Sequence, residues 1–426
     1  MTDPVNDPKQ FLTSLFHAAV SAADPMKVVA GHLPPRPKGR LLVIGAGKGS
    51  ARMAQAVERH YGPCEGFVIT RYGYSCPTER IEIVEAAHPV PDTAGETHTR
   101  ELLNRIAGLS ADDTVIALIS GGGSALLCAP VEGVSLQDKM KVNAALLASG
   151  APISEMNKLR KRLSRVKGGK LAAACMPARL ITLMISDVPG DDPALIASGP
   201  TVGDLGTAQE ALDIVDRWGI NLAPHLRHAI TASADGPRPE DAIFDRTENH
   251  IIAAPSKSLK VAAGLATTCD VRILGDALEG EARDLAVAHA KLALDIQSDL
   301  TKRDRPVLLL SGGECTVTRQ GDGIGGPNAE YVAAAANALN GSQGIHVLAC
   351  DTDGVDGAAE VAGAYAGPDT NAKAKANGVS LPDALARNDA HSFFAAIGDQ
   401  VITGPTLTNV NDFRAILVCA KGDSDR

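Results

Sequence analysis

Aromatic side chains are scarce in this sequence, at 3% of 426 residues with a single tryptophan. Hydrophobic residues still make up 45%, so we expect cores packed from Ala, Leu, Val and Ile. No apolar run reaches the roughly 18–20 residues that a membrane-spanning helix needs. The first residues, MTDPVNDPKQFLTSLF, lack the basic region and long apolar core of a secretory signal. We therefore expect neither a membrane partner nor a secretory signal.

Paired cysteines and an excess of basic charge are also missing. The eight cysteines form no CxxC pair, and several lie in apolar runs such as HVLAC and AILVC. This scatter favours buried free thiols in a reducing, cytoplasmic compartment over a disulfide framework or a zinc site. The net charge of −9 argues against a nucleic-acid partner, whose binding surface would be basic. An anionic substrate must therefore be met by a local cationic feature.

Short apolar runs alternate with helical patterns along most of the chain. Many runs are apolar without alternation, as in strands buried on both faces of a parallel sheet. We predict an α/β fold with mostly parallel sheets. The predicted strands are 41–47, 66–70, 81–87, 114–120, 180–186, 250–255, 271–275, 306–313, 346–350 and 415–419. The predicted helices are 51–60, 97–108, 136–149, 154–166, 208–217, 257–268, 279–298 and 328–339.

A chain of this length is long for one domain and comfortable for two. The stretch 232–249 is charged, rich in Asp and Pro, and lacks periodicity. We place a boundary there, which divides the chain into domains 1–240 and 241–426. Whether the final strand crosses back to the first domain is left open.

Three glycine-rich turns follow predicted strands: GAGKGS (45–50), SGGGS (120–124) and SGGE (311–314). Ligands of α/β sheets bind beyond the carboxyl ends of strands, where consecutive amides at a strand-to-helix turn attract anions. Each glycine costs roughly 0.5–1 kcal/mol of chain entropy, so the runs indicate positive φ or a closely approaching ligand. A tight connection without a ligand is the alternative for any one turn. The predicted phosphate- or substrate-binding residues in these turns are Gly47, Ser120, Gly121, Gly122, Gly123, Ser124, Gly312 and Gly313.

The turn GAGKGS is not a Walker A motif, and it misses the dinucleotide pattern GxGxxG because Ser50 stands at the third glycine. Lys48 lies within the turn, where a lysine suits a phosphate or a carboxylate. We predict that Lys48 is catalytic, with a solvated surface lysine as the alternative.

The segment KLRKRLSRVKGGK (158–170) contains seven basic residues and no acid. On a helix, one stripe of it would be buried and a flanking stripe would line a cleft. From that flanking stripe we predict that Arg160 is catalytic and that Asn157 and Lys167 bind substrate. The remaining basic residues of the helix are predicted to face solvent: Lys158, Lys161, Arg162 and Arg165.

Acidic residues also follow predicted strands, in SDVPGDD (186–192) and CDTDGVDG (350–357). Carboxylates at such positions suit Mg²⁺ or a base for a substrate hydroxyl. We predict metal ligation by Asp187, which is also a catalytic candidate, and by Asp353 and Glu314. Asx-turn capping is the alternative for any single aspartate. Together with the cationic stripe and glycine turns, these residues favour phosphoryl transfer.

Several motifs, in this order, resemble those of a known family. They are GAGKGSARMAQAVE (45–58), HPVPD (88–92), LISGGGSALL (118–127), ISEMNKLRKRLSRVKGGKLA (153–172), SDVPGDDPALIASGPT (186–201), TDGVDG (352–357), GAYA (363–366) and TGPTLTNVNDF (403–413). The sequence resembles the glycerate 2-kinases with a C-terminal MOFRL domain, some of which are labelled hydroxypyruvate reductases. The resemblance covers nearly the whole chain.

The resemblance implies a Rossmann-like N-terminal domain, a smaller α/β C-terminal domain and a cleft between them. It implies transfer of phosphate from ATP, with Mg²⁺, to the 2-hydroxyl of D-glycerate, giving 2-phosphoglycerate. The family's loop lysine falls on Lys48 and the aspartate of its SD motif on Asp187. Many relatives read GGRNQE where this chain reads GGPNAE, so Pro327 replaces an arginine that could stabilise the transferring phosphoryl group. Arg160 or Lys167 would then take that role, or the rate or substrate differs.

Three alternatives to that activity are kept. The chain could phosphorylate a related C3 hydroxy acid, or it could be an NAD(P)H-dependent hydroxypyruvate reductase, which would need a full GxGxxG fingerprint. A non-catalytic sensor of a phosphorylated metabolite would keep the glycine turns without needing Lys48 or Asp187. The sequence leaves a homodimer open.

Overall fold

The computed structural model describes residues 3–233 and 235–422. The chain forms two compact units. The first unit comprises Pro25–Asp187 and Asp191–Ile252, and the second comprises the residues up to Asp24, Val188–Gly190 and those from Ala253 onward. Within the described part of the chain, no helix is both long and apolar enough to cross a membrane.

The secondary structure alternates between strands and helices in both units. The strands are β1 (Leu41–Ala46), β2 (Glu65–Arg71), β3 (Ile81–Ala86), β4 (Thr114–Ile119), β5 (Arg179–Ile185), β6 (Thr247–Ala253), β7 (Asp270–Gly275), β8 (Gly280–Glu281), β9 (Val307–Gly313), β10 (Cys315–Thr316), β11 (Ile345–Asp351), β12 (Gly363–Ala366), β13 (Gln400–Val401) and β14 (Asp412–Val418). The α-helices are α1 (Pro8–Ala22), α2 (Pro25–Val28), α3 (Ser50–Tyr61), α4 (Thr93–Ile106), α5 (Gly123–Leu126), α6 (Leu136–Ser149), α7 (Ile153–Arg162), α8 (Lys170–Cys175), α9 (Ala208–Arg217), α10 (Pro224–Ala232), α11 (Pro255–Leu265), α12 (Ala282–Asp299), α13 (Pro327–Leu339), α14 (Thr370–Ala376), α15 (Leu381–Arg387) and α16 (Ala390–Ile397). Short 3₁₀ helices cover Ala30–His32, Pro189–Asp191, Ile196–Ser198 and Ala242–Arg246.

The first unit is built on a sheet with strand order β3-β2-β1-β4-β5-β6. The ladders β2/β3, β1/β2, β1/β4 and β4/β5 are parallel. This order is that of a doubly wound, Rossmann-like sheet, which binds ligands where the order reverses, here between β1 and β4. Ala46, Ile119 and Met184 lie side by side in the register. The turns after β1, β4 and β5 therefore leave the sheet at one edge.

The second unit contains a sheet with order β13-β12-β11-β14-β9-β7. Its ladders are antiparallel except for β7/β9, so the prediction of mostly parallel sheets is correct for the first unit and wrong here. Helices cover both faces of this sheet. Leu308 and Leu310 pack in one apolar cluster with α1 and α11, whereas Leu309 packs in another with α12 and α13. The unbroken apolar runs therefore reflect burial on two faces and not strand direction.

The units differ from the predicted division at residue 240. The strand β6 follows that position in sequence but is the sixth strand of the first sheet. The N-terminal helix α1 belongs to the second unit, where Phe11 and Leu12 pack in one apolar cluster with Leu259 of α11. The final strand β14 pairs with β9 and β11, which places it in the second sheet. All eight cysteines are buried, as predicted, and they are thiols.

A histidine lies in the core of the second unit. His289 is 7% exposed, and its Nδ1 lies 2.7 Å from the hydroxyl of the fully buried Tyr331. Burial lowers the pKa of His289 to about 4, with a smaller contribution from the charge of Arg414. The folded protein therefore keeps this imidazole neutral.

We predict that His289 makes folding sensitive to mild acid. The unfolded chain takes up a proton near pH 6.5 but the folded chain only near pH 4, so stability is complete above about pH 6.5 and falls as the pH drops toward 4. The loss is on the order of 2–3 kcal/mol. Unfolding in urea at pH 7 and pH 4.5 should show a smaller pH-dependent loss for His289→Gln than for the wild type. The variant His60→Gln, at an exposed position, should match the wild type, and an unchanged loss in His289→Gln would contradict the assignment.

Candidate functional site

The turns after β1 and β4 are joined by hydrogen bonds at the point where the sheet order reverses. The Lys48 amide donates to the Gly121 carbonyl at 2.8 Å. The Ser120 hydroxyl accepts from the Gly49 amide at 2.9 Å, and the Ser50 hydroxyl donates to the Leu118 carbonyl at 2.9 Å. The two turns thus form one rigid element.

The backbone amides of the turn GAGKGS donate their hydrogen bonds within the protein. The Gly47 amide donates to the Ile69 carbonyl at 3.2 Å, and the Ser50 amide donates to the Gly47 carbonyl at 3.2 Å. The predicted roles of Gly47 and Ser120 in holding a phosphate are therefore corrected: Gly47 has its amide committed to the sheet, and the fully buried Ser120 hydroxyl braces the neighbouring turn. Lys48 is the partly exposed residue of the turn, so its side chain is what this turn can offer to a ligand.

The glycines of SGGGS are required by close packing. Gly122 has φ of +81°, and a Cβ there would lie 3.0 Å from the His88 ring and 3.4 Å from Lys48 Cγ. A Cβ on Gly123 would lie 2.9 Å from both the Ala46 carbonyl oxygen and the Ala197 Cβ. Within the described residues, the amides of Gly121, Gly122 and Ser124 donate no backbone hydrogen bond. This turn, unlike the first, keeps amides that could donate to an anion.

A cavity of about 360 Å³ opens in the first unit beside this turn. Three cationic side chains line it, Lys139, Arg160 and Lys167, and no carboxylate stands among its described lining residues. The other lining residues are His88, Pro89, Pro91, Gly122, Ser124, Ala125, Met140, Val142, Asn143, Leu147 and Leu163. A cavity of this composition attracts a small anion, since uncompensated positive charge is costly where water is partly excluded.

Lys167 forms the buried floor of the cavity. It is 3% exposed, and its Nζ donates to the Ser124 carbonyl at 2.6 Å and to the Ser124 hydroxyl at 2.9 Å. Burial lowers the pKa of Lys167 well below its ordinary value, and the charges of Lys139 and Arg160 lower it further. A bound anion would reverse this shift by stabilising the ammonium.

Arg160 is held by two asparagines. Its guanidinium donates to Asn143 Oδ1 at 2.5 Å and to Asn157 Oδ1 at 3.3 Å, and burial lowers its pKa. Asn157 is buried and does not line the cavity. It therefore positions Arg160, whereas we predicted that it binds substrate.

Arg160 and Lys167 both line the cavity, but they do not share a helical stripe as predicted. The helix α7 ends at Arg162, so Lys167 comes from the following segment and reaches the same cavity. The predicted solvent exposure of Lys161 and Arg162 is wrong, because both are buried and bonded to Asp204 and Asp235.

Sequence reasoning missed the contribution of α6. Lys139 and Asn143, four residues apart, present one helical face to the cavity. Burial lowers the pKa of Lys139, while Cys128 nearby opposes that shift. The sequence predicts this helix, and its capping box at Ser135 and Asp138 can be recognised there. The sequence of the helix does not indicate which of its faces lies beside Arg160.

Asp187 follows β5 by two residues and is half-buried. The strand register places it at the sheet edge that carries Lys48 and the glycine turn. It is not among the residues that line the cavity. The site thus has a cationic part around Arg160 and an edge that holds Lys48 and Asp187.

Four predicted residues lie in the second unit. Gly312 and Gly313 are buried within β9 and pair with β14, and their carbonyls accept from the Arg414 guanidinium at 3.0 and 3.3 Å. The predicted phosphate-binding turn at SGGE is therefore wrong, because its glycines are strand residues.

The two metal candidates of this unit differ in exposure. Glu314 is exposed, whereas Asp353 is fully buried and its Oδ1 accepts from the Val355 amide at 2.8 Å. That bond is the Asx turn we considered as the alternative. In the described residues no group of three or more His, Cys, Asp or Glu is arranged to hold a metal.

Comparison with known proteins agrees with this architecture. A model described as "Domain of unknown function (DUF4147)" matches residues 11–231, and the MOFRL family model matches residues 307–412. A D-glycerate 2-kinase from Thermotoga maritima is 36% identical over 95% of this chain and 97% of its own length. A protein from Agrobacterium vitis named "Putative hydroxypyruvate reductase" is 47% identical over 96% of this chain and 94% of its own.

The fold of a solved relative is similar throughout. The crystal structure of glycerate kinase (EC 2.7.1.31) from Thermotoga maritima superimposes with a TM-score of 0.86 at 36% identity, covering 97% of this chain and 100% of that one. The chain therefore belongs to the glycerate 2-kinase family with a MOFRL domain, and it is an enzyme of the kinase class.

We predict that Gly122→Ala lowers the thermal stability of the protein by more than the cost of its left-handed backbone conformation. A non-glycine residue in the left-handed region costs about 1–2 kcal/mol, and here the new Cβ also meets His88 and Lys48. Gly133 is a matched control in the same unit, with φ of +78° and open space where a Cβ would stand. Thermal unfolding should show a larger loss for Gly122→Ala than for Gly133→Ala. Equal losses would mean that the contacts with His88 and Lys48 are unimportant.

Proposed function

We propose that this enzyme transfers a phosphoryl group from ATP to the 2-hydroxyl of D-glycerate, giving 2-phosphoglycerate. The observation that carries the proposal is the cationic cavity next to the glycine turn at the reversal point of a doubly wound sheet. Glycerate and ATP are both anions, and phosphoryl transfer is catalysed mostly by positioning and charge stabilisation. The names of the kinase relatives support phosphorylation of glycerate, and one of them, D-glycerate 2-kinase, supports the 2-hydroxyl as the acceptor.

In this proposal Arg160 holds the glycerate carboxylate. Its guanidinium is fixed by Asn143 and Asn157 before substrate arrives, which reduces the entropy lost on binding. Lys167 and Lys139 add positive charge around the same anion. The amides of Gly121, Gly122 and Ser124 are assigned to phosphate oxygens.

Lys48 and Asp187 act at the sheet edge. Lys48 is assigned to the charge that develops on the transferred phosphoryl group, as a cation aimed at the transition state. Asp187 is assigned to the 2-hydroxyl, whose proton it accepts as the oxygen attacks phosphorus. Mg²⁺ in kinases is held by one or two carboxylates and the substrate phosphates. A half-buried carboxylate such as Asp187 fits that ligand set, and the ion would neutralise phosphate charge.

Pro327 stands where an arginine could have stabilised the transferred phosphoryl group, so another cation must take that role. Pro327 occupies the first position of α13, after the N-cap Gly326, where proline is favoured because its fixed φ suits a helix start. A proline supplies no charge to a phosphoryl group. We assign that charge to Lys48 and to the cations of the first unit.

Reduction of hydroxypyruvate is the second candidate, because a relative 47% identical is named for it. The turn after β1 is poorly suited to a dinucleotide, since its amides donate to Ile69, Gly121, Ser120 and Gly47. A related C3 hydroxy acid as phosphoryl acceptor would use the same cavity. We also propose a cytoplasmic location, supported by the eight buried thiols.

One experiment separates these activities. The purified chain is incubated with ATP, Mg²⁺ and D-glycerate, and the position of the phosphate on the product is determined by NMR. Hydroxypyruvate with NADPH and with NADH is assayed in parallel, and L-glycerate and lactate test the acceptor. We expect 2-phosphoglycerate and no oxidation of nucleotide. A 3-phosphorylated product would refute the assigned regiochemistry, and hydroxypyruvate reduction without phosphorylation would refute the kinase.

We predict that Lys48→Ala lowers kcat by roughly 10²- to 10³-fold, the usual effect of removing one preorganised transition-state donor. The melting temperature should be nearly unchanged, because the turn is held by backbone bonds that alanine keeps. Lys141→Ala, at an exposed position of α6, is the control and should retain wild-type kcat. Wild-type turnover in Lys48→Ala would remove Lys48 from the mechanism.

We predict that Arg160→Gln acts on substrate binding instead. Loss of a charge-assisted hydrogen bond should raise KM for glycerate roughly 10- to 100-fold. The KM for ATP should change much less, which a two-substrate kinetic analysis would measure. Arg165→Gln, at an exposed arginine five residues later, provides the control. A rise confined to the KM for ATP would place the nucleotide, and not glycerate, on Arg160.

A further inference from the structure

The cavity beside the glycine turn is larger than glycerate requires. Its volume is about 360 Å³. A cavity of roughly 150 Å³ already holds benzene, a molecule of similar size to glycerate. Roughly half of the volume therefore remains when an acid of three carbons is bound.

Much of the cavity wall is apolar. Half of its lining residues have no polar side chain, among them Pro89, Pro91, Met140, Val142, Leu147 and Leu163. Two of the polar side chains are already bonded, since Asn143 Oδ1 accepts from Arg160 and Ser124 Oγ accepts from Lys167. The 3-hydroxyl of glycerate would lose hydrogen bonds to water against an apolar wall. A hydrocarbon group suits this wall better.

Two of the apolar side chains lie on either side of the residue that holds Arg160. Asn143 of α6 follows Met140 by three residues and precedes Leu147 by four, so the three side chains share one helical face. One helical turn, about 5.4 Å, separates each of the two from Asn143. A ligand whose carboxylate lies on Arg160 can therefore reach them with a short side chain.

These two side chains also lack packing partners in the protein. Met140 is 37% exposed and Leu147 is 60% exposed, although both line a concave site. Apolar side chains exposed together and rimmed by polar groups are typical of ligand-binding grooves. A ligand that carries both a carboxylate and a hydrocarbon group would match the charge of Arg160 and cover Met140 and Leu147.

We propose that the cavity binds 2-hydroxy acids with a branched hydrocarbon side chain, such as D-2-hydroxy-4-methylpentanoate, and that the enzyme phosphorylates them. The carboxylate lies on Arg160, as proposed for glycerate, and the hydrocarbon lies against Met140 and Leu147. The bound carboxylate stabilises the charged forms of Lys139 and Lys167, which line the same cavity. The transfer step rests on the kinase activity proposed above, whereas the binding step does not.

The transfer balances in the same way as with glycerate. The 2-hydroxyl oxygen bonds to the γ-phosphorus of ATP, and the bond from that phosphorus to the oxygen bridging the β-phosphate breaks. The hydroxyl proton passes to Asp187 and from there to solvent. The products are ADP and the acid phosphorylated on its 2-oxygen.

Binding is tested without the reaction. Calorimetry of the purified full chain compares 4-methylpentanoate with propanoate, two acids that have no 2-hydroxyl and cannot accept phosphate. Each buried methylene contributes about 0.8 kcal/mol, so the longer acid should bind roughly 10- to 50-fold more tightly. Equal affinities for the two acids would overturn the proposal.

Matched variants locate the two ends of the ligand. Arg160→Gln should weaken the binding of both acids, whereas Leu147→Asn should lower the ratio of the two affinities by roughly 3- to 10-fold. Leu147→Met keeps an apolar contact and should preserve the ratio. Leu205→Asn, at an exposed leucine of the same unit that does not line the cavity, is the control. A ratio unchanged in Leu147→Asn, with a weaker affinity for ATP, would assign this wall to the nucleotide and overturn the proposal.

The transfer step is tested with ATP, Mg²⁺ and either D-glycerate or D-2-hydroxy-4-methylpentanoate, followed by phosphorus NMR. We expect both acids to be phosphorylated, the longer one with a kcat/KM at least equal to that of glycerate. Phosphorylation of glycerate alone would overturn the inference. Transfer to neither acid, with the preference for 4-methylpentanoate intact, would refute the proposed kinase activity and still support the binding site.

Discussion

The junction between the turns after β1 and β4 is the constraint on which the first unit's site depends. The hydroxyl of Ser120 accepts from the amide of Gly49, and the carbonyl of Gly121 accepts from the amide of Lys48. These bonds close the first turn to ligands through its backbone. They also fix where the Lys48 side chain begins and leave the second turn with amides to spare. The two glycine-rich turns therefore differ in what they offer a ligand: the turn 45–50 offers the Lys48 side chain, and the turn 120–124 offers backbone amides.

The cationic cavity follows from the same junction. Gly122 can face His88 and Lys48 closely because it has no side chain, and Ser124 two residues later contacts the buried amine of Lys167. Positive charge is concentrated there without a carboxylate among the lining residues that the structure describes. Such a site is electrostatically costly when empty, and a bound anion relieves the cost. Its stability and its affinity for an anion are therefore coupled.

The two units have similar sequence patterns but differ in strand direction and in the roles of their glycine-rich strand ends. In each unit the central strands are buried along their whole length, so their sequences are apolar without alternation. In the first unit the ladders that join β3, β2, β1, β4 and β5 are parallel, so the carboxyl ends of these strands meet at one edge, where we propose that ligands bind. In the second they are largely antiparallel, and its glycines Gly312 and Gly313 serve strand pairing and the anchoring of Arg414. Of these glycine-rich strand ends, we propose that those in the first sheet form a ligand site, whereas the one in the second sheet serves packing.

Periodicity and charge are local properties, so the α/β class, the ten strands of six or more residues and most of the long helices could be predicted from them. The helix α1 was not predicted, although Phe11, Leu15 and Ala19 have the spacing of its buried stripe. The strands β8, β10, β12 and β13 have too few residues to show a pattern. Strand direction, the burial of Lys161 and the position of Lys139 beside Arg160 became apparent from the folded chain alone. They depend on which elements meet, and contacts between residues distant in sequence leave no local signal.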